Sequence, residues 1–215
     1  MTSTPRSNDQ SPSSRRLPLA LILGGVFTVL LIVTVFLTLG DEEASADEYG
    51  DPTVSGQDLP TLVDAAADPA VGEAAPEVTG ADFDGEPVAI TDDGSAKIIV
   101  FLAHWCPHCQ NEVPWVTEWL GVTDLPDGVD FYSVATGIDP NADNYPPSDW
   151  LEREGWPAPV IVDDPTNTAA GAFGLNAYPF WVAVNADGTI FGRASGGLSP
   201  EILDALVLSL SGEGE

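Results

Sequence analysis

The sequence is organised around Trp105-Cys106-Pro107-His108-Cys109, which holds the only two cysteines of the 215 residues. They close an apolar run, Ile98-Ile99-Val100-Phe101-Leu102-Ala103, that reads as a buried strand. Gln110 to Leu120 then takes up helical spacing. Strand, Cys-x-x-Cys and helix together form an arrangement in which a dithiol does redox chemistry. A helix N-terminus presents unpaired N–H groups and partial positive charge, and both favour a thiolate. The first cysteine is then a nucleophile, and the second can resolve the mixed disulfide that it forms. A purely structural disulfide here would close a loop of only a few residues and constrain the unfolded chain little.

Charge narrows the partners. Acidic residues number 34 against 6 Lys+Arg, a formal net charge of −28. Such a field repels phosphate backbones, so nucleic acid is a poor partner. The acidity reads as a solvated surface. Adaptation to high salt is the sharper alternative, because screening suppresses repulsion among the carboxylates.

Residues 1–16 are polar, rich in Ser and Pro, and carry Arg6, Arg15 and Arg16; they read as a disordered cytoplasmic tail. Leu17 to Leu39 holds no charge. As a helix this stretch would extend roughly 34 Å, enough to cross a bilayer core. Arginines before it, and Asp41, Glu42 and Glu43 after it, place the rest of the chain outside the cell membrane. Ala44-Ser45-Ala46 has the small-x-small form of a cleavage site. The apolar stretch nevertheless exceeds the ~7–15 residues of a secretory signal, so an uncleaved single-pass anchor is expected. Residues 40–70, acidic among Gly, Pro and Ala, read as a flexible linker, with a folded domain over 71–212.

Within that domain, Glu86 to Thr91, Lys97 to Ala103, Val129 to Ala135 and Pro159 to Val162 read as strands. Asp149 to Glu154 is expected as a helix capped by Ser148, and Pro165 to Phe173 as one ending at Gly174. Phe180 to Val184 and Thr189 to Arg193 flank Asp187-Gly188, a hairpin signal. Ser199 and Pro200 open a last helix with Ile202, Leu203, Leu206, Val207 and Leu210 on one stripe. The order implies an α/β fold, a mixed central sheet flanked by helices on both faces.

These features together resemble the TlpA/ResA-like group of membrane-anchored, thioredoxin-fold thiol-disulfide oxidoreductases, from about Val71 to Leu210. Glu112 and Pro114 complete a Cys-x-x-Cys-x-x-Glu-x-Pro pattern. Ala172-Phe173-Gly174-Leu175 followed by Tyr178-Pro179 resembles the segment that holds the fold's cis-proline, and Asp187-Gly188 its hairpin turn. The resemblance implies an extracytoplasmic, monomeric thioredoxin-like enzyme working through a Cys106/Cys109 redox-active disulfide, without metal or external cofactor. It would reduce disulfides of secreted or membrane-associated proteins, apocytochrome c among them, and be recharged by a membrane electron carrier.

Residue by residue, the resemblance implies that Cys106 is the exposed nucleophile, Cys109 the buried resolving thiol and Glu112 a proton shuttle for Cys109. Tyr178-Pro179 would be a cis peptide lying against the cysteines, and Trp105 would pack beside them or within the core. Pro107 removes an N–H that would be unpaired at the helix start, and Pro114 should bend the helix. A protonated His108 would stabilise the reduced form and make the disulfide more oxidising. Pro107-His108 resembles the dipeptide of disulfide-forming oxidases of the DsbA type, so the reverse electron flow is the alternative. A third reading takes His104, Cys106, His108 and Cys109 as a copper-binding set, although such close spacing strains a tetrahedral site.

Overall fold

The structure, a computed structural model, describes residues 48–212. The expected tail 1–16, membrane-spanning segment 17–39 and the start of the linker lie outside the described residues. Among the described residues no helix is long and apolar enough to cross a membrane. The strands are β1 (Thr53–Ser55), β2 (Glu77–Ala81), β3 (Pro87–Ile90), β4 (Ala96–Leu102), β5 (Val129–Ala135), β6 (Val160–Val162), β7 (Phe180–Val184) and β8 (Ile190–Ser195). The helices are α1 (Pro107–Val122), α2 (Pro147–Arg153), α3 (Thr168–Ala172) and α4 (Pro200–Leu210).

β4 lies at the centre of a five-stranded sheet of order β6-β5-β4-β7-β8, parallel across β4, β5 and β6 and antiparallel across β7 and β8. All seven of its residues are buried, as a strand covered on both faces requires. Its side chains alternate between two cores, in keeping with the two-residue period of a strand. Ile98, Val100 and Leu102 pack with Cys109, Val113 and Val116 of α1, Trp150 of α2, and Leu203 and Val207 of α4. Ile99 and Phe101 pack with Ala169 and Ala170 of α3, Phe173, and Val78 and Ile90. Both faces are therefore covered. The second carries α3 together with a three-stranded antiparallel sheet, β1-β2-β3.

That small sheet corrects the domain boundary. Residues 48–70, expected as part of a flexible linker, belong to the folded domain. β1 pairs with β2, and the Leu59 and Leu62 amides donate to the carbonyls of Ala172 and Gly174 at 2.8 and 2.9 Å. Leu59 and Leu62 are buried, worth about 1.5–3 kcal/mol each. Asp68 accepts two hydrogen bonds from Arg193, Nε to Oδ2 at 2.9 Å and Nη2 to Oδ1 at 2.6 Å, with both side chains fully inaccessible. Acidic composition masked these few apolar anchors, and Asp68 gives no local sign of a partner 125 positions away.

Smaller differences have local causes. α2 begins at Pro147 after Pro146, and Ser148 lies inside its first turn, where its hydroxyl donates to Glu48 Oε1 at 2.9 Å rather than capping the helix. α3 is short because Asp164 gathers the Thr166 and Thr168 amides into a turn ahead of it. α1 runs unbroken through Pro114. In α4, Ser199 accepts from the Ile202 amide as expected, but Ile202 itself is exposed and lies off the buried stripe.

Candidate active site

The dithiol sits where β4 hands over to α1. Cys106 is the N-cap of α1 in extended backbone (φ −73°, ψ 121°), and Pro107 opens the helix. Burial holds both sulfurs out of water: Cys106 is 6 % exposed and Cys109 0 %. The expectation of an exposed Cys106 is thus corrected. The reason lies across from it, where the Tyr178 carbonyl comes to 3.7 Å of the Cys106 sulfur and accepts its S–H. Both cysteines are free thiols. Burial pushes the Cys109 thiol far above the usual range, reinforced by the negative charges that Cys106 and Glu112 can carry and opposed by a backbone hydrogen bond with Ala103.

Glu112 lies one helical turn beyond His108 and is buried, 5 % exposed. Its Oε1 accepts the Leu198 amide at 2.7 Å. Desolvation raises its carboxyl above the ordinary glutamate range, against the pull of the Leu198 amide, the Trp115 indole and His108. A buried carboxyl that holds its proton at raised pH, beside a buried thiol that resists losing one, is a pair matched for proton exchange.

Tyr178-Pro179 is a cis peptide, as is Tyr145-Pro146, which sequence reading did not anticipate. The Pro179 carbonyl accepts the Gly196 amide at 2.8 Å. Trp105 is 39 % exposed, so it is a wall of the site and not core. Its indole donates to the Gly137 carbonyl at 2.6 Å, and its ring meets Tyr178 edge-on at 5.7 Å and 85°. His108 and Pro107 are exposed at the rim. His104 is committed elsewhere: Nδ1 donates to the Asp143 carbonyl at 2.7 Å and Nε2 accepts the Asp139 amide at 3.2 Å. Burial lowers its basicity, which suits that neutral tautomer. The copper set of His104, Cys106, His108 and Cys109 is not assembled, and among the described residues no group of His, Cys, Asp or Glu is placed to hold a metal ion.

Residues 70–206 match the family model described as Redoxin. The chain belongs to the Redoxin family. Among curated relatives it is 25 % identical over 134 residues to the thiol-disulfide oxidoreductase ResA of Geobacillus thermodenitrificans, covering 61 % of this chain and 73 % of that one. It is 29 % identical over 135 residues to the thiol:disulfide interchange protein DsbE homolog of Paracoccus denitrificans, covering 61 % and 69 %. Among solved structures, the thiol:disulfide interchange protein of the thioredoxin family from Chlorobium tepidum superposes with a TM-score of 0.54 at 25 % identity, over 65 % of this chain and 96 % of that one. The fold is thioredoxin-like, and this Redoxin-family chain is a protein thiol-disulfide oxidoreductase of the ResA/DsbE type. With two cysteines in the whole sequence, its redox group is the Cys106/Cys109 pair, used without an external cofactor.

The structure brings together all eight residues singled out from sequence: Trp105, Cys106, Pro107, His108, Cys109 and Glu112 on or before α1, and Tyr178 and Pro179 opposite. It adds Thr136, Gly137, Asn167 and Leu198, which sequence reading passed over. Thr136-Gly137 had a usable signal, a polar residue and a glycine at the carboxyl end of a parallel strand, where α/β sheets place their sites. Leu198 had none, since it contributes a backbone amide.

Proposed function

We propose that this enzyme works outside the cell membrane as a reductase of protein disulfides, with Cys106 as nucleophile, Cys109 as resolving thiol and Glu112 as the proton acceptor for Cys109. The observation that carries this reading is the burial of Cys109 beside a buried Glu112. A stabilised thiolate makes a dithiol couple oxidising. Burial leaves no such thiolate at Cys109, which must lose its proton to a base before it attacks.

In the forward direction the Cys106 thiolate attacks one sulfur of a substrate disulfide. A Cys106–substrate disulfide forms, and the displaced substrate sulfur leaves and takes a proton. Cys109 then passes its proton to Glu112 and attacks the Cys106 sulfur. The mixed disulfide breaks, the second substrate cysteine leaves as a thiol, and Cys106–Cys109 closes. The substrate has gained two electrons and the enzyme has lost them. The uncharged run from Leu17 to Leu39 supports a single-pass anchor and a membrane electron carrier that restores the dithiol. Secreted proteins, including apocytochrome c, are the proposed substrates.

Pro107-His108 favours the opposite direction, disulfide formation, because a cationic His108 beside the dithiol would stabilise its reduced form. Equilibrating the Cys106/Cys109 couple with glutathione separates the two. A couple well below the glutathione potential supports the reductase, and one near that of disulfide-forming oxidases overturns it.

A further inference from the structure

Residues 136–146 cross from β5 to α2 at the carboxyl ends of the parallel strands, where sheets of this kind place their sites. One buried side chain that the exchange chemistry leaves unused holds this loop down. His104, 1 % exposed, stands two residues before Cys106. Its Nδ1 donates to the Asp143 carbonyl at 2.7 Å and its Nε2 accepts the Asp139 amide at 3.2 Å, so a single ring grips both limbs of the loop. The His104 carbonyl accepts from Asn144 Nδ2 at 3.3 Å and from Gln110 Nε2 of α1 at 2.9 Å. Tyr145 meets the ring edge-on at 6.0 Å and 63°. The loop begins where Trp105 is held, since the Gly137 carbonyl accepts the Trp105 indole. Loop, histidine and exposed tryptophan are thus one bonded unit on the rim of the dithiol.

These partners dictate the state of the ring. A carbonyl can only accept and an amide N–H can only donate, so Nδ1 carries the proton and Nε2 its lone pair. An imidazolium would aim an Nε2–H at the Asp139 N–H and lose that limb. Burial favours the neutral ring, against the Asp143 carbonyl and the carboxylates of Asp139 and Glu48. The other titratable or charged groups on the elements around it are Tyr49 ahead of β1, Asp143 and Tyr145 on the loop, Cys106 on α1 and Arg153 on α2. We propose that His104 is a positioning residue for the substrate-facing rim: its neutral imidazole holds residues 139–143 beside Trp105, in a shape that fits a protein disulfide and matters little to a small one. The proposal rests on the Cys106/Cys109 reductase reading above. Because folding lowers the basicity of the ring, the grip is complete at neutral pH. It is lost only as pH falls through the folded value, below the ordinary value of about 6.5.

The chain holds two histidines, His104 and His108, so His104→Gln suffices to assign the His104 imidazole nitrogen shifts. At neutral pH they should show a protonated Nδ1 and a bare Nε2. On acidification the Asp139 amide signal should move in step with the ring. An imidazolium at neutral pH, or an Asp139 amide that ignores the titration of the ring, overturns the proposal.

The second readout is the rate of insulin reduction divided by that of oxidised glutathione, a ratio that cancels changes in thiol chemistry common to both. His104→Phe keeps a flat ring and deletes both bonds. Its ratio should fall about ten-fold at neutral pH, the worth of one buried hydrogen bond, through a higher KM for insulin at unchanged kcat. In the parent the same fall should appear in mild acid, along the His104 titration. His104→Gln keeps a donor and an acceptor but cannot titrate, so its ratio should stay level with pH. A ratio in His104→Phe equal to that of the parent overturns the proposal, whether both rates hold or both fall together. So does a parent ratio that stays level in acid, or a His104→Gln ratio that falls there. Should His104→Phe fail to fold, the Asp139 titration and the parent ratio against pH decide alone. A parent that reduces neither substrate would instead count against the reductase reading, and the Asp139 titration would still decide the grip of His104.

Discussion

Glu112 and Leu198 stand 86 positions apart in the chain, yet the Leu198 amide donates to Glu112 Oε1 at 2.7 Å. The segment between β8 and α4 is shaped around that carboxyl. A Cβ on Gly197 would lie 2.5 Å from Glu112 Oε2, and the neighbouring Gly196 amide donates to the Pro179 carbonyl. One short loop thus connects the buried acid of α1 to the cis-proline that faces Cys106.

Glu112→Gln keeps an acceptor for Leu198 and removes the proton acceptor proposed for Cys109. The expected result is a folded protein whose mixed disulfides resolve roughly 100-fold more slowly, within the usual contribution of general base catalysis. The parent rate should climb with pH as Glu112 ionises above the ordinary glutamate range, and that rise should be missing in the variant. Stability carries the opposite sign. A carboxyl whose pKa is raised by folding stabilises the protein fully below its unfolded value of about 4.3, and that contribution is lost as pH rises through the folded value. Glu112→Gln should therefore unfold at higher urea than the parent near neutral pH and lose this advantage in acid. Stopped-flow resolution kinetics with urea melts at two pH values would check both; an unaltered resolution rate would sink the shuttle.

Cys109→Ser leaves the Cys106 sulfur without its resolving partner. Exposed to oxidised substrate, this variant should accumulate a covalent adduct through Cys106, seen as a mass increase that dithiothreitol removes. Cys106→Ser should trap nothing, because Cys109 is fully buried and burial holds its thiol protonated. Equal trapping through Cys109 would reverse the assigned roles.

Asp68→Asn tests the correction to the domain boundary. The Arg193 guanidinium would stay buried with the Pro60 and Phe173 carbonyls, losing the carboxylate charge and one of its two acceptor oxygens at position 68. Removing one member of a buried pair costs about 3–5 kcal/mol. Hydrogen bonding from Arg193 holds the Asp68 carboxyl below the ordinary aspartate range despite its desolvation. Its stabilisation is thus present above the unfolded pKa of about 3.9 and lost as pH falls through the folded value. Urea midpoints should differ widely at neutral pH and converge in strong acid. Limited proteolysis should also cut the variant between residues 56 and 70 faster than the parent. Equal midpoints at neutral pH would mean that the pair does not hold this segment down.

The legible parts of the fold were those in which local pattern and tertiary role agree. β4 is apolar throughout because both its faces are covered, and Ser199-Pro200 opens α4 as its residue types dictate. Cys106 and Cys109 could be read from chain spacing at the junction of strand and helix, whereas Glu112 and Pro179 stood out only through the family resemblance. What escaped depends on distant partners. Leu59 and Leu62 find their acceptors at the end of α3 and just after it, and Asp68 finds Arg193 on β8. Thr136 donates to Asn167, 31 positions away, and Leu198 acts through its backbone. No local pattern encodes such pairings.

Salt dependence provides the last prediction. Among the described residues the basic side chains are Lys97, Arg153 and Arg193. Lys97 is buried and bonded to Asp93 and the Ser95 carbonyl, Arg193 is buried against Asp68, and Arg153 donates to Asn144 and the Asp149 carbonyl. The carboxylates on the rest of this surface have no further basic side chain to face and repel one another through water. At molar salt the screening length falls to roughly 3 Å, shorter than the spacing of surface charges, while buried pairs are screened far less. Repulsion should fade and the Asp68–Arg193 pair should persist. A gain of about 1 kcal/mol would raise the thermal midpoint by ~2–4 °C for a domain of this size. Melting curves in sodium chloride from low to molar concentration, with Asp68→Asn in parallel, would show parent and variant rising together. A midpoint that stays level with salt would mean that the acidity is an ordinary solvated surface, and one that falls would mean that attraction rather than repulsion dominates the field.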